Sequence, residues 1–157
     1  MSREVAQLIG KKLDVILSLA DDELVVEGAA RGETNLSEHS PFQAFGVVDP
    51  AIATAATGLD FLKSMLERRE PSPPFSETTD IWIVSAEMGR VVFEGMPSAR
   101  FCNPMGVIHG GWLATPLDSC MECVVHSTLK VAQTYTTIEM KTVNMGSVLC
   151  GGAESAH

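Results

Sequence analysis

The sequence predicts an α+β domain in which an antiparallel sheet wraps a single apolar helix, and three observations carry that expectation. Residues 112–129 read as a helix that is apolar on most faces, through Trp112, Leu113, Leu117, Cys120, Met121, Cys123, Val124 and Val125. A helix of that kind is normally buried, and a twisted antiparallel sheet is an economical cover for it. Ile81-Trp82-Ile83-Val84 and Val91-Val92-Phe93 flank Glu87-Met88-Gly89-Arg90, in which the glycine supplies the turn of a β-hairpin. A third strand is expected over residues 135–143, where Thr136, Thr137, Ile138 and Val143 add β-branched weight.

The remaining elements follow in chain order. Val5, Leu8, Ile9, Leu13, Ile16 and Leu19/Ala20 recur at helical spacing with Lys11, Lys12 and Asp14 between them, which predicts an amphipathic N-terminal helix. Residues 21–50 are rich in glycine, asparagine, serine and scattered acids and read as a linker. Residues 1–50 are therefore expected to be an N-terminal extension, either this helix and linker or a poorly ordered segment from an upstream start site. Over residues 51–70, Leu59, Leu62, Met65 and Leu66 form an apolar stripe while Lys63, Glu67, Arg68 and Arg69 look outward, so a helix is expected there. Pro71, Pro73 and Pro74 end it, because proline lacks the amide hydrogen and biases its predecessor towards extended backbone. The domain proper spans 51–145, and 146–157 is a short glycine-rich tail.

Composition excludes several partners. The chain has 157 residues, of which 45% are hydrophobic and 20% charged, the balance of one globular domain. Lys plus Arg number 11 against 20 for Asp plus Glu, and a net charge of -9 repels nucleic acid. A single phosphorylated small molecule remains acceptable, since it needs only a few local donors. No run approaches the roughly 18 apolar residues of a membrane span. The short apolar run at 13–20 is interrupted by Asp14 and lacks a cleavage pattern, so no secretory leader is expected. The cysteines at 102, 120, 123 and 150 accordingly read as reduced thiols of a cytoplasmic protein.

The chemistry concentrates between Asn103 and Asp118. The loop Asn103-Pro104-Met105-Gly106 leads into Val107-Ile108-His109-Gly110-Gly111 at the entrance of the apolar helix. Amides at a helix N-terminus lack intrahelical acceptors, and without β-carbons a ligand can approach them closely. The Gly110 and Gly111 amides thus suit a carbonyl oxygen that gains negative charge in a tetrahedral transition state, or serve only a tight loop-to-helix junction. Asp118 lies mid-helix among Leu117, Cys120, Met121 and Val124, where an unpaired carboxylate is costly. Either it bonds Ser119 or nearby backbone, or it works as a general base or nucleophile. Pro116, two residues earlier, removes one helical hydrogen bond and can kink the backbone.

The pattern Asn103-x5-His109-Gly110-Gly111-x6-Asp118 resembles the hotdog-fold thioesterases of the phenylacetate-degradation type, and Thr137-Ile138-Glu139-Met140-Lys141 resembles their following central strand. The resemblance covers residues 51–145. It implies hydrolysis of an acyl-CoA thioester at an interface in a homodimer or dimer of dimers, with neither cofactor nor metal. Asn103, His109 and Gly110 would come from one protomer, the glycine amide polarising the carbonyl while Asn103 and His109 orient the loop, thioester or water. Asp118 and Thr137 would come from the other, as base or nucleophile and as the residue positioning the lytic water. Gly106, Gly111 and Trp112 are the further candidates for substrate contact, although Trp112 equally suits packing. The family continues beyond this strand into at least two more long strands, whereas 146–157 is short, so the sheet is expected to lack its last strands through a truncated or shifted reading frame. A non-catalytic acyl-CoA binder or a remnant of a thioesterase is the alternative.

A rival chemistry is Cys120-x2-Cys123-x2-His126, two thiols and an imidazole on one helix. They fan over a wide arc, unlike structural zinc sites. The competing reading makes Cys120 and Cys123 core residues and His126 a cation at the helix's negative end.

Overall fold

The hairpin expected around Gly89 forms the middle of the architecture. Strands β3 (Ile81–Glu87) and β4 (Arg90–Gly95) meet at Met88-Gly89, where Gly89 has φ 72°, a left-handed conformation that glycine adopts without steric cost. Ile81 stands opposite Gly95 and Ile83 opposite Phe93; the register then slips between Ile83 and Ser85, so that Ala86 faces Val91. This bulge returns an apolar residue to the inner face, and Ile81, Ile83, Ala86, Val91 and Phe93 are all buried. The computed structural model describes residues 11–20, 23–33 and 44–143, the first two stretches as backbone.

β4 pairs on its other side with β1 (Lys11–Ala20), which pairs in turn with β2 (Glu23–Glu33). The result is an α+β fold on a four-stranded antiparallel sheet of order β2-β1-β4-β3. Two expectations are corrected here. Residues 11–20 are strand and not helix, and residues 23–33 are strand and not linker. Leu13, Val15, Leu17 and Leu19 also recur at every second position, so the same residues satisfy a period of two. The open edge of β4 decides between the periods by offering a hydrogen-bond ladder, with Leu13, Val15 and Leu17 opposite Gly95, Phe93 and Val91. The parts of those expectations that concern residues 1–10, 21–22 and 34–43 lie outside the described residues, as does the tail at 146–157.

The third strand expected at 135–143 is also corrected: residues 133–143 carry no regular secondary structure, and Ile138 is 96% exposed. β-branched residues favour extended backbone, but a strand needs a neighbour's donors and acceptors. Both sides of β4 are already taken, by β1 and β3.

The helix expected at 51–70 is two helices, α1 (Pro50–Ala53) and α2 (Gly58–Leu66). Thr57 starts the second, its hydroxyl accepting from the Asp60 amide at 3.2 Å and donating to the Asp60 carboxylate at 2.7 Å. After Pro71 and Pro73, Pro74 occupies the first turn of a short helix that the sequence reading did not foresee, α3 (Pro74–Thr79), where a missing amide hydrogen costs nothing.

The long apolar helix is α4 (Gly110–Ser127), lying across β4, β1 and β3. Its buried stripe is Trp112, Pro116, Cys120, Val124 and Ser127, one face in place of the burial on most faces that was expected. Trp112 anchors the helix: its indole stacks on Phe101 at 5.2 Å, and its N–H donates to the Thr79 carbonyl at 2.8 Å. At the opposite end, α2 butts against α4. A β-carbon on Gly58 would sit 1.7 Å from the His126 carbonyl oxygen, and the Gly58 amide donates to the Leu129 carbonyl at 3.0 Å.

Gly58→Ala therefore has to push α2 off α4 and is expected to lower the free energy of unfolding by about 3 kcal/mol in urea titration. Gly46→Ala, whose new carbon would meet only Pro71 carbons at 3.5 Å, is expected to change it by less than about 0.5 kcal/mol.

Candidate active site

The loop before α4 is organised by Asn103. Its side-chain oxygen accepts from the Met105 amide at 2.9 Å and the Val107 amide at 3.1 Å, while its own amide donates to the Val107 carbonyl at 2.7 Å. Gly106, at φ 72°, donates to the Asn103 carbonyl at 3.0 Å; a β-carbon there would meet nothing within 4 Å, so this glycine serves the backbone turn. Asn103 thus acts through the loop's shape. The His109 amide then donates to the Phe101 carbonyl at 2.8 Å, tying the entry of α4 to the ring that supports Trp112.

His109 is the N-cap of α4, and its Nδ1 accepts from the Gly111 amide at 3.0 Å. A neutral imidazole in this arrangement carries its proton on Nε2. The two glycines are consequently not equivalent. Gly111 has given its amide to His109, whereas the Gly110 amide has no acceptor among the described residues. One open donor at the positive end of an 18-residue helix suits an oxygen bearing developing negative charge.

Asp118 lies on the outward side of α4, two residues and so about 200° from Pro116 of the buried stripe. Its Oδ1 is enclosed and has no hydrogen-bond partner among the described residues, so the expected alternative of a bond to Ser119 or backbone is not realised for that oxygen. One turn further, the Glu122 carboxylate accepts from the Thr137 hydroxyl at 3.0 Å. The segment after α4 therefore brings Thr137 onto the face that carries Asp118. Burial pushes the Tyr135 phenol up, and the charges of Cys123, Glu122 and Asp118 push it further, so it stays protonated.

The two parts stand apart within one chain. Eight residues separate Gly110 from Asp118, about 12 Å along the axis at the usual rise. An oxygen bonded to the Gly110 amide lies beyond the helix end, further still from the carboxylate. One carbonyl group cannot meet both in a single chain. Trp112, the third substrate-contact candidate beside Gly106 and Gly111, is 6% exposed and committed to the core. Two cavities flank α4, of about 280 Å3 and 380 Å3, and neither is lined by Gly110, His109 or Asp118. Glu122 and Tyr135, which lie outside the motif, enter here; only Glu122 left a signal, one helical turn beyond Asp118.

The rival thiol site is not assembled. Among the described residues no three His, Cys, Asp or Glu side chains gather where they could hold a metal ion. Burial first, then Cys120 and Glu122, pushes the Cys123 thiol up to about 12, and Cys120 points its sulfur at the Val91 carbonyl, 3.6 Å away. Cys102 is disulfide-bonded, which corrects its reading as a reduced thiol. His126 is packed between Phe61 and Tyr135, its Nε2 enclosed without a partner among the described residues, and burial holds its imidazole below the ordinary histidine range. It is a neutral ring and not the helix-end cation considered above. Among the described residues no helix is long and apolar enough to cross a membrane.

Burial disfavours the charged form of His126 in the fold, so the unfolded chain binds more protons there than the folded chain between the folded and unfolded pKa values. The stability it contributes is complete above the unfolded value of 6.5 and declines as pH falls through that value towards the lower folded one. Thermal midpoints are expected to fall between about pH 7.5 and about pH 5, and to fall less in His126→Leu; equal slopes would contradict this.

Comparison of the chain with family models, curated proteins and solved structures finds no match.

Proposed function

We propose that the chain is an acyl-CoA thioesterase of the hotdog fold, acting as a dimer in which each site takes Gly110 from one protomer and Asp118 from the other. The observation that carries the reading is the enclosed, unpartnered carboxylate oxygen of Asp118. A group left in that state is costly unless a ligand or reaction uses it. The open Gly110 amide is its counterpart, a donor without an acceptor. Their separation along α4 supports a site shared across a twofold axis.

In this scheme the thioester carbonyl oxygen accepts from Gly110 while His109 and Asn103 hold the loop in register. The Thr137 hydroxyl donates its hydrogen bond to Glu122, so its lone pairs remain to accept a hydrogen bond from the lytic water. Asp118 takes the other water proton as the water oxygen attacks the acyl carbon. The carbon–sulfur bond then breaks, the acid is released, and the proton passes to the departing thiolate. Coenzyme A leaves as its thiol. One observation favours the alternative, a non-catalytic acyl-CoA binder or thioesterase remnant: residues 133–143 join no strand, so Thr137 is held by its bond to Glu122 and not by a sheet.

Thiol release from a panel of aryl- and alkyl-CoA esters separates the two. Asp118→Asn is expected to lower kcat by at least ~100-fold. Gly110→Pro should do the same by ~100-fold, because it deletes the one open amide at a position where proline suits the helix. His109, with φ -62° and ψ 131°, already has the extended backbone required before a proline, so the thermal midpoint should barely change. Turnover unaffected by Asp118→Asn would remove the catalytic assignment.

A further inference from the structure

The cavity of about 280 Å3 beside α4 has a polar atom in its wall that the fold leaves unused. Ser72 is 1% exposed, lines the cavity, and its hydroxyl has no partner among the described residues. The residue is pinned: its amide donates to the Ala44 carbonyl at 3.1 Å, and its carbonyl accepts from the Gly46 amide at 2.9 Å. That bridge fixes the backbone beneath the hydroxyl, and the residue as a whole is shut off from solvent. A buried hydroxyl in this state is destabilising until something bonds it.

The rest of the wall is graded. Met65, Ile81, Ile83 and Phe93 form a buried apolar floor, while Phe75 is 53% exposed and Ser119 and Glu122 are half-buried at the rim. Ser119 and Glu122 follow Asp118 on α4 by one and four residues, so the rim runs along the flank beside the carboxylate. An apolar cavity of roughly 150 Å3 accommodates a benzene ring, and this one is about twice that size.

We propose that this cavity receives the acyl group of the thioester and that Ser72 selects acyl groups carrying an oxygen at the end remote from the sulfur. The identity of the ligand rests on the thioesterase reading above; the cavity and its unbonded hydroxyl do not. The chain of the acyl group passes the Ser119–Glu122 rim and ends on the floor, where a plain methyl terminus leaves Ser72 unbonded and a terminal oxygen bonds it. Discrimination then comes from the mismatch of a buried polar group, which is steeper than discrimination by bulk alone.

The test is calorimetric binding to the full chain carrying Asp118→Asn, so that turnover does not consume the probes, using six-, eight- and ten-carbon acyl-CoA esters with and without a terminal hydroxyl. At one of these lengths the hydroxylated ester should bind about tenfold tighter. Adding Ser72→Ala should bring the pair within about twofold while leaving the unliganded thermal midpoint unchanged or higher, since a purely structural serine would lower it. Ser119→Trp, which fills the rim, should abolish binding of both esters in a protein that still melts cooperatively. Equal affinities at every length, a preference that survives Ser72→Ala, full binding in Ser119→Trp, or no binding by the folded chain would each overturn the proposal. Thiol release by the chain with Asp118 intact is read in parallel. A hydroxyl preference without turnover keeps the cavity and removes the thioesterase; turnover lost in Asp118→Asn without a hydroxyl preference does the reverse.

Discussion

Among the described residues, the helix end and the carboxylate that make up the candidate active site are held by the seating of α4 on β4. Cys120 and Val124 on the helix and Val91 on the strand are each 0% exposed, and Gly95 leaves the room that lets Trp112 come down at the sheet's end. A β-carbon on Gly95 would come within 3.1 Å of the indole. From that contact the rest follows: Phe101 stacks on the same indole, the His109 amide bonds the Phe101 carbonyl, and the open Gly110 amide is thereby aimed. Burial of apolar surface, non-directional in itself, becomes directional because one tryptophan fits one gap.

The same seating explains where polarity went. With one stripe of α4 on the sheet, the opposite side is left to Asp118, Glu122 and the segment carrying Tyr135 and Thr137. The helix therefore presents its two unbonded groups at different places, an amide at its end and a carboxylate on its flank. The enclosed carboxylate oxygen is costly in the isolated chain, and a second copy would let one copy's end meet the other's flank. Pro116 sits inside the buried stripe and Asp118 outside it, so the proline acts on the aspartate only through the backbone.

How much the sequence disclosed depended on how local each signal was. Gly89 with its flanking apolar runs, and the long apolar stretch around Cys120, needed no distant partner to be read. Lys11–Ala20 did, because its leucines satisfy both periods and the free side of β4 chose between them. Residues 135–143 show the converse, strong β propensity in a segment that joins no strand and bonds α4 through Thr137 and Glu122 instead. Thr57 and Asp60 were a readable start signal for α2, hidden by the apolar stripe that continues through them. At the site, Asn103, His109, Gly110 and Asp118 were legible because they fall within one short motif. The inequality of Gly110 and Gly111 was not, since it depends on where one imidazole turns. Ser72 could not be read at all, being an ordinary serine until the parallel bridge to residue 45 buries it.

The shared site is the claim on which the functional account turns, and mixing two inactive chains tests it most directly. Asp118→Asn and Gly110→Pro chains, unfolded together and refolded at equal concentration, would form mixed dimers with one intact site and one doubly altered site. If each site is built from both protomers, thiol release from an acyl-CoA ester should return to about a quarter of the unsubstituted activity, although neither variant turns over alone. If the mixture stays as inactive as its parts while dimers form, the Gly110 amide and the Asp118 carboxylate do not meet across an interface, and the account is wrong.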